Sequence, residues 1–428
     1  MQLAFLSLLT AAALLAAQNP ASADAKQRVK AARAFVKEGS AGVERLRPLL
    51  SDSEVEVRRA AVEALIAIGG QQTLEPLTNA LSDADSEVQR MAANGLVNFY
   101  LPGYYESGWK GRVKRGADNV LDRFWGPEEP VTPAYVTARP EIVAALGKVA
   151  AESASMESRA AAARALGVLR ASEASEQLLA ALATKNPEVL YEVLTAFEKI
   201  RNPEVAPRLF YMLRDPDEKV QLAAIQTVSL LGNKGANEPL REAWERTKSE
   251  KVRRALLEAM AMLPDEANRP LFEKYLLDTD EGMRAGAAEG LGRLGKAEDR
   301  ARLETLWEAE RKMRPRLSQA FAVVALGRRE ITELSPLQYL INTLNHKAWR
   351  GVAQGFLKDL TPEPVVRYSL HNALLQANRE EKLALAEILG ERGGKDSVEP
   401  LEALTRDADL EIATESIRAL RTLRMRLQ

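Results

Sequence analysis

Apolar side chains recur along this chain at three- and four-residue intervals inside short windows, and the windows themselves recur. Ala61, Val62, Leu65 and Ile68 form one such stripe, the mark of a helix with a single buried face. One position near the start of each window, expected as the second or third residue of its helix, sets the frame. These anchors are Arg58, Gln89, Arg159, Leu190, Gln221, Arg253, Arg284, Arg316, Arg350, Lys382 and Ala413, spaced by 31, 70, 31, 31, 32, 31, 32, 34, 32 and 31 residues. Seven residues after each stands an apolar residue: Leu65, Leu96, Leu166, Phe197, Val228, Met260, Leu291, Val323, Leu357, Leu389 and Leu420. A fixed short period predicts an all-α solenoid of about eleven helix pairs, in which each unit buries its stripe against the next. The units around Arg350 and Lys382 are the most degenerate.

One unit spells out the local chemistry. Pro203 to Leu213 is predicted as a first helix, Arg214-Asp215-Pro216-Asp217 as a turn, and Glu218 to Leu231 as a second helix closed by Gly232-Asn233. Asp215 is expected to cap the second helix and Pro216 to start it. An aspartate recurs six residues before the anchor at Asp52, Asp83, Asp278 and Asp407, with the same expected capping role, and Gly69, Gly232 and Gly295 are expected to terminate their helices.

The stretches from Leu50 to Leu65 and from Met283 to Gly292 resemble HEAT repeats, and the short period resembles the bacterial HEAT-like repeats named after phycobilisome lyases. The resemblance covers residues 40 to 428 apart from one insertion. It implies a right-handed superhelix whose second helices line a concave, protein-binding face. It also implies a ladder in which the anchor arginines, here Arg58, Arg159, Arg253, Arg284 and Arg316, pair with the turn aspartate of a neighbouring unit.

The 70-residue gap holds about 39 extra residues, from about 100 to 139, with Tyr100, Tyr104, Tyr105, Trp109, Phe124, Trp125 and Tyr135 among Lys110, Arg112, Lys114, Arg115 and Arg123. Its glycines and prolines predict loops around one short helix, Gly116 to Phe124. Aromatic and arginine side chains are the residues enriched at interface hot spots. Tyr104, Tyr105, Trp109, Lys110, Arg112, Arg115 and Trp125 are therefore the candidate partner-binding residues. The competing reading makes the same aromatics a private core that plugs the gap between two units. Two further basic runs, Arg311 to Arg316 and Arg418 to Arg426, read as solvated faces.

Composition narrows the function. Lys plus Arg number 59 against 60 acidic residues, a formal net charge of −1, so nothing draws the whole chain to nucleic acid or anionic lipid. There is no cysteine, and the two histidines, His346 and His371, stand 25 residues apart, which leaves no metal-ligand pattern and an expectation of satisfied or exposed imidazoles. No nucleophile motif, phosphate loop or His-Glu pair occurs, so no catalytic residue and no cofactor is expected. Residues 1–25 carry an apolar run, Leu3 to Ala17, followed by Ala21-Ser22-Ala23, and read as a signal peptide cleaved after Ala23 or Ala25, although no Lys or Arg precedes the run. The mature solenoid would then start at residue 26, have no membrane span, and be periplasmic or secreted. The favoured expectation is a non-enzymatic exported scaffold that binds a protein; a lyase-like or small-ligand protein and a purely structural spacer of the cell envelope are the alternatives.

Overall fold

The computed structural model describes residues 22–104, 130–133 and 135–428, and all regular structure among them is helical, which makes the chain an all-α solenoid. It divides into two compact units, whose described residues are 22–104, 130–132 and 136–200 in the first, and 133, 135 and 201–428 in the second.

Each anchor lies in its own second helix, from Val55–Ile68 to Leu410–Leu427. Ten of the eleven are the fourth residue, one or two places later than the spacing predicts; Arg350 is the first residue of Arg350–Leu360. Its amide still donates to the carbonyl four residues back, His346 O at 2.8 Å, as Arg58 donates to Glu54 O at 3.3 Å, so the backbone register survives in a poorly formed first turn. All eleven residues seven positions on are buried. A twelfth anchor escaped the periodicity. Arg28 is the fourth residue of Ala25–Phe35, and Phe35, seven further on, is fully buried.

The caps sit two residues later than expected. Asp85, Asp217, Asp280 and Asp409, four residues before their anchors, accept from helix-start amides. Asp83, Asp215, Asp278 and Asp407 each accept instead from the amide two residues on, at 2.8 to 3.0 Å, and shape the turn that leads into the cap. Pro203–Arg214 is a 3₁₀ helix and not an α-helix, because Pro207 inside it has no N–H to donate. Gly69, Gly232 and Gly295 close their helices with φ of +65°, +71° and +74°.

Neighbouring second helices meet along a seam that recurs three times. A Cβ placed on Gly167, Gly292 or Gly390, each eight residues after an anchor, would stand 2.6 to 2.7 Å from the Cα of Ala196, Ala322 or Ala419, each six residues after the following anchor. Gly286, two residues after its anchor, faces Leu257 and Glu258 on the preceding helix, and Gly290 faces the Phe272 ring of its own first helix. At 100° per residue, these contacts leave the position five after the anchor facing away from the first helices, between the two neighbours. The row at that position reads Glu63, Asn94, Arg164, Thr195, Gln226, Glu258, Glu289, Phe321, Gly355, Glu387 and Arg418.

Candidate functional site

The expected ladder exists with some of its rungs. Arg58 donates to both carboxylate oxygens of Asp83, at 2.7 and 3.0 Å, and its Nη1 also donates to Asp52 O at 2.9 Å. Each such guanidinium therefore holds its own turn and the next turn at once. Arg28 does this with Asp52, and Arg284 with Glu310 at 2.9 and 3.3 Å. Lys382 reaches Asp407 at 2.7 Å. Gln89 makes a neutral rung, its amide donating to Asp83 O and accepting from Ser153 Oγ. The guanidinium of Asp52's partner Arg28 holds that carboxyl below its ordinary value.

Three predicted rungs are different. Arg159 donates to Ala150 O. Arg253 lies over the Trp244 ring, 5.8 Å from its centroid. Arg316 lies over Tyr339 at 4.9 Å and Trp307 at 5.7 Å. The position that would supply its acid, six before the next anchor, is Leu344, which is fully buried.

In the second unit the row five residues after the anchors carries a denser cluster. Glu258 and Glu289 are 2% and 1% exposed. Arg314 reaches Glu258 across the intervening helix Glu281–Leu294, where Gly286 leaves room beside the Glu258 side chain. Arg293 binds Glu289 at 2.9 Å and Asp359 at 2.6 Å, and its guanidinium lies 4.8 Å from the Phe321 centroid, itself stacked 4.6 Å from Phe356. Burial pushes the Glu289 carboxyl up to about 7 even with Arg293 opposing it. Burial also raises Glu258, against Arg314 and Arg254, and its Oε2 is buried with no hydrogen-bond partner. This cluster was missed by the sequence reading, although polar residues five after nine of the eleven anchors are visible in the sequence.

The insertion's ends are clamped in the first unit. The Arg139 amide donates to Tyr100 Oη at 3.0 Å, and the Thr132 amide to Val168 O at 2.9 Å. Beneath them the repeats stack without a break: Ser158 Oγ donates to Ser86 O, and Ser153 meets Gln89. Of the candidate binding residues Tyr104 is described, and it is buried at 4% exposed. Tyr105, Trp109, Lys110, Arg112, Arg115 and Trp125 lie outside the described residues, as does the helix expected at 116 to 124. Nearby, an apolar pocket of about 330 Å³ is lined by Leu65, Ile66, Leu77, Phe99 and Pro102, with no acid or base among the described residues of its wall.

His346 is exposed, and His371 Nε2 lies 2.9 Å from Ser397 Oγ, with burial lowering its pKa against the pull of Asp396. Among the described residues no three His, Asp or Glu side chains gather as metal ligands, and no helix is long and apolar enough to cross a membrane.

No curated protein matches the chain. Among solved structures it resembles the CpcE and CpcF complex of phycocyanin lyase from Nostoc sp. PCC7120, at 18% identity and a TM-score of 0.35 over 68% of this chain and 96% of that one. It also resembles Escherichia coli YibA, at 17% and 0.42 over 69% and 96%. A chain from work on the phosphorylation-switched interaction between cadherin and β-catenin matches at 14% and 0.41 over 96% and 98%. At these identities and TM-scores the three likenesses carry no argument of their own. The family described as HEAT repeats matches residues 11–102, 143–229, 177–261, 207–292 and 237–323. With its repeats matched over well more than half its length, the chain belongs to the HEAT-repeat family.

Proposed function

We propose that this protein is a non-enzymatic, exported scaffold that binds a protein partner through its second helices and the inserted aromatic and basic loop. The observation that carries the reading is the clamp at Tyr100 and Arg139 above an unbroken stack. The repeats on either side join without help from the loop, so its aromatic and basic residues are not needed as a bridge. In this reading Tyr104, buried, roots the loop, and Tyr105, Trp109, Lys110, Arg112, Arg115 and Trp125 meet the partner. A lyase would need acid or base groups converging on an enclosed apolar site, and the described residues around the pocket beside the loop's root supply none.

The test is affinity capture from the envelope fraction with the mature protein and a Trp109→Ala, Trp125→Ala double variant. Loss of one captured protein by a variant that keeps the wild-type circular dichroism is the expected result. An unchanged set of captured proteins refutes the recognition loop.

A further inference from the structure

Arg316 is a rung of the ladder with its acid replaced. At Arg284 the guanidinium is met by Glu310 from the next turn; at Arg316 the equivalent position is the buried Leu344. Among the described residues the Arg316 side chain makes no hydrogen bond or ion pair, and its Nε is buried without an acceptor. Two rings hold it in place: Trp307 and Tyr339, packed edge to face at 6.2 Å, both lie within 6 Å of the guanidinium carbon. Trp307 is 5% exposed, and its indole N–H is a second buried donor with no partner. A half-buried guanidinium held by two rings and met by no acid is prepared for an anion on its exposed side, because native structures rarely leave such groups unmatched.

The arrangement repeats two units earlier. Trp244, nine residues before Arg253 as Trp307 is before Arg316, lies under the Arg253 guanidinium and packs edge to face on Tyr275. Arg253 is exposed and forms no ion pair among the described residues, Asp278 included. In sequence, exposed Arg246 and Lys248 stand between Trp244 and Arg253, and exposed Arg311 and Lys312 between Trp307 and Arg316.

Resting on the scaffold reading, we propose that these two aromatic-cradled arginines bind carboxylates of an extended acidic protein segment laid along the edge of the second helices. Packed helices stand about 8–10 Å apart, so the two guanidiniums are roughly 20 Å apart, the reach of about six extended residues. The anchor arginine between them, Arg284, is already closed on Glu310 and offers no third free cation. That spacing suits a chain with two separated acids better than the unbroken charge of a polyphosphate or an anionic lipid surface.

The probe is a fluorescein-labelled Glu-Glu-Gly-Ser-Gly-Ser-Glu-Glu peptide, with its all-Gln counterpart and phosphatidylglycerol vesicles as the other arms, read by anisotropy and sedimentation with the full chain. We expect saturable binding of the Glu peptide alone. Arg316→Gln weakens it about tenfold, the loss of one charge-assisted contact, and Arg253→Gln weakens it severalfold, since that guanidinium is exposed and less firmly held by its ring. Arg316→Lys keeps the charge, loses the planar stacking and gives an intermediate affinity, which guards against a misfolded Gln variant. Equal binding of the Gln peptide, wild-type affinity in Arg316→Gln, or stronger binding to vesicles overturns the proposal. Failure here with capture still dependent on Trp109 and Trp125 removes this site and leaves the scaffold reading standing. Loss of that dependence with peptide binding intact removes the loop and leaves this site.

Discussion

The second unit contains two sets of contacts between basic side chains and carboxylates that differ in reach and in burial. The ladder joins adjacent repeats, residues 25 or 26 apart such as Lys382 with Asp407 and Arg284 with Glu310, at the edge of the helices. The inner cluster joins repeats one removed, 56 residues apart for Arg314 with Glu258 and 66 for Arg293 with Asp359. Glu310, although burial opposes it, has its pKa lowered by the hydrogen bond from Arg284 and by nearby backbone donors. Glu258 and Glu289 have lost their water, and burial raises them against the guanidiniums beside them. A glutamate facing an arginine thus acquires opposite pH behaviour at these two places.

The largest effect is expected where the inner contact is broken from one side. Arg314→Ala leaves Glu258 buried and unpaired, and should lower the free energy of urea unfolding by about 3–5 kcal/mol. A loss under about 1 kcal/mol would show that the cluster is no more demanding than the ladder.

Next comes the opposition in pH. Glu289 has its pKa raised from 4.5 to about 7, so the stability it contributes is full below pH 4.5 and lost as pH rises through about 7. By linkage this amounts to roughly 3 kcal/mol as an upper figure. The melting temperature of wild type relative to Glu289→Gln should therefore fall between pH 4.5 and 7, and a flat difference would refute the shift. In the first unit Asp85 has its pKa lowered, chiefly by the hydrogen bond from Arg59, so its contribution stands above pH 3.8 and is lost as pH falls below that. Asp85→Asn should flatten the acid side of the same profile and leave the neutral side alone.

The smallest effects separate one rung from another. Arg58→Ala strands Asp83 and should cost about 1 kcal/mol, whereas Arg316→Gln strands no carboxylate and should cost about 0.5 kcal/mol or less. Equal losses in the two variants would mean that the ladder acid adds nothing to the rung.

The repeat frame was legible before the structure because its determinants are local: an anchor and a buried residue seven on repeat at fixed spacing, and all eleven buried positions followed from that. The ladder that the family resemblance implied holds at Arg58 and Arg284 and fails at Arg159, Arg253 and Arg316, because the partner of each depends on the neighbouring turn. The cap was misplaced by two residues because Asp-x-Asp offers two carboxylates, and spacing alone does not say which one shapes the turn and which meets the helix amides. Arg28 was lost beside the apolar run from Leu3 to Ala17, although Asp24 four before it and Phe35 seven after it mark the same cap and buried position. The inner cluster was illegible for a different reason. Its partners lie 56 and 66 residues apart, and only a helix crossing with small residues such as Gly286 brings them together. The cradle at Arg316 could have been found by asking which anchors lack a downstream acid.

The contacts that skip a helix bear on how the chain comes apart. In an array whose units touch only their immediate neighbours, denaturation can stop at any junction, and the ends fray one repeat at a time. The clasp of Arg314 over Gly286 onto Glu258, and of Arg293 onto Asp359, couples each unit to the one beyond its neighbour. Residues 250 to 360 should consequently melt as a single cooperative block inside an otherwise gradual transition. Deleting one whole repeat from that block would restore every ladder spacing yet still dissolve the cooperativity.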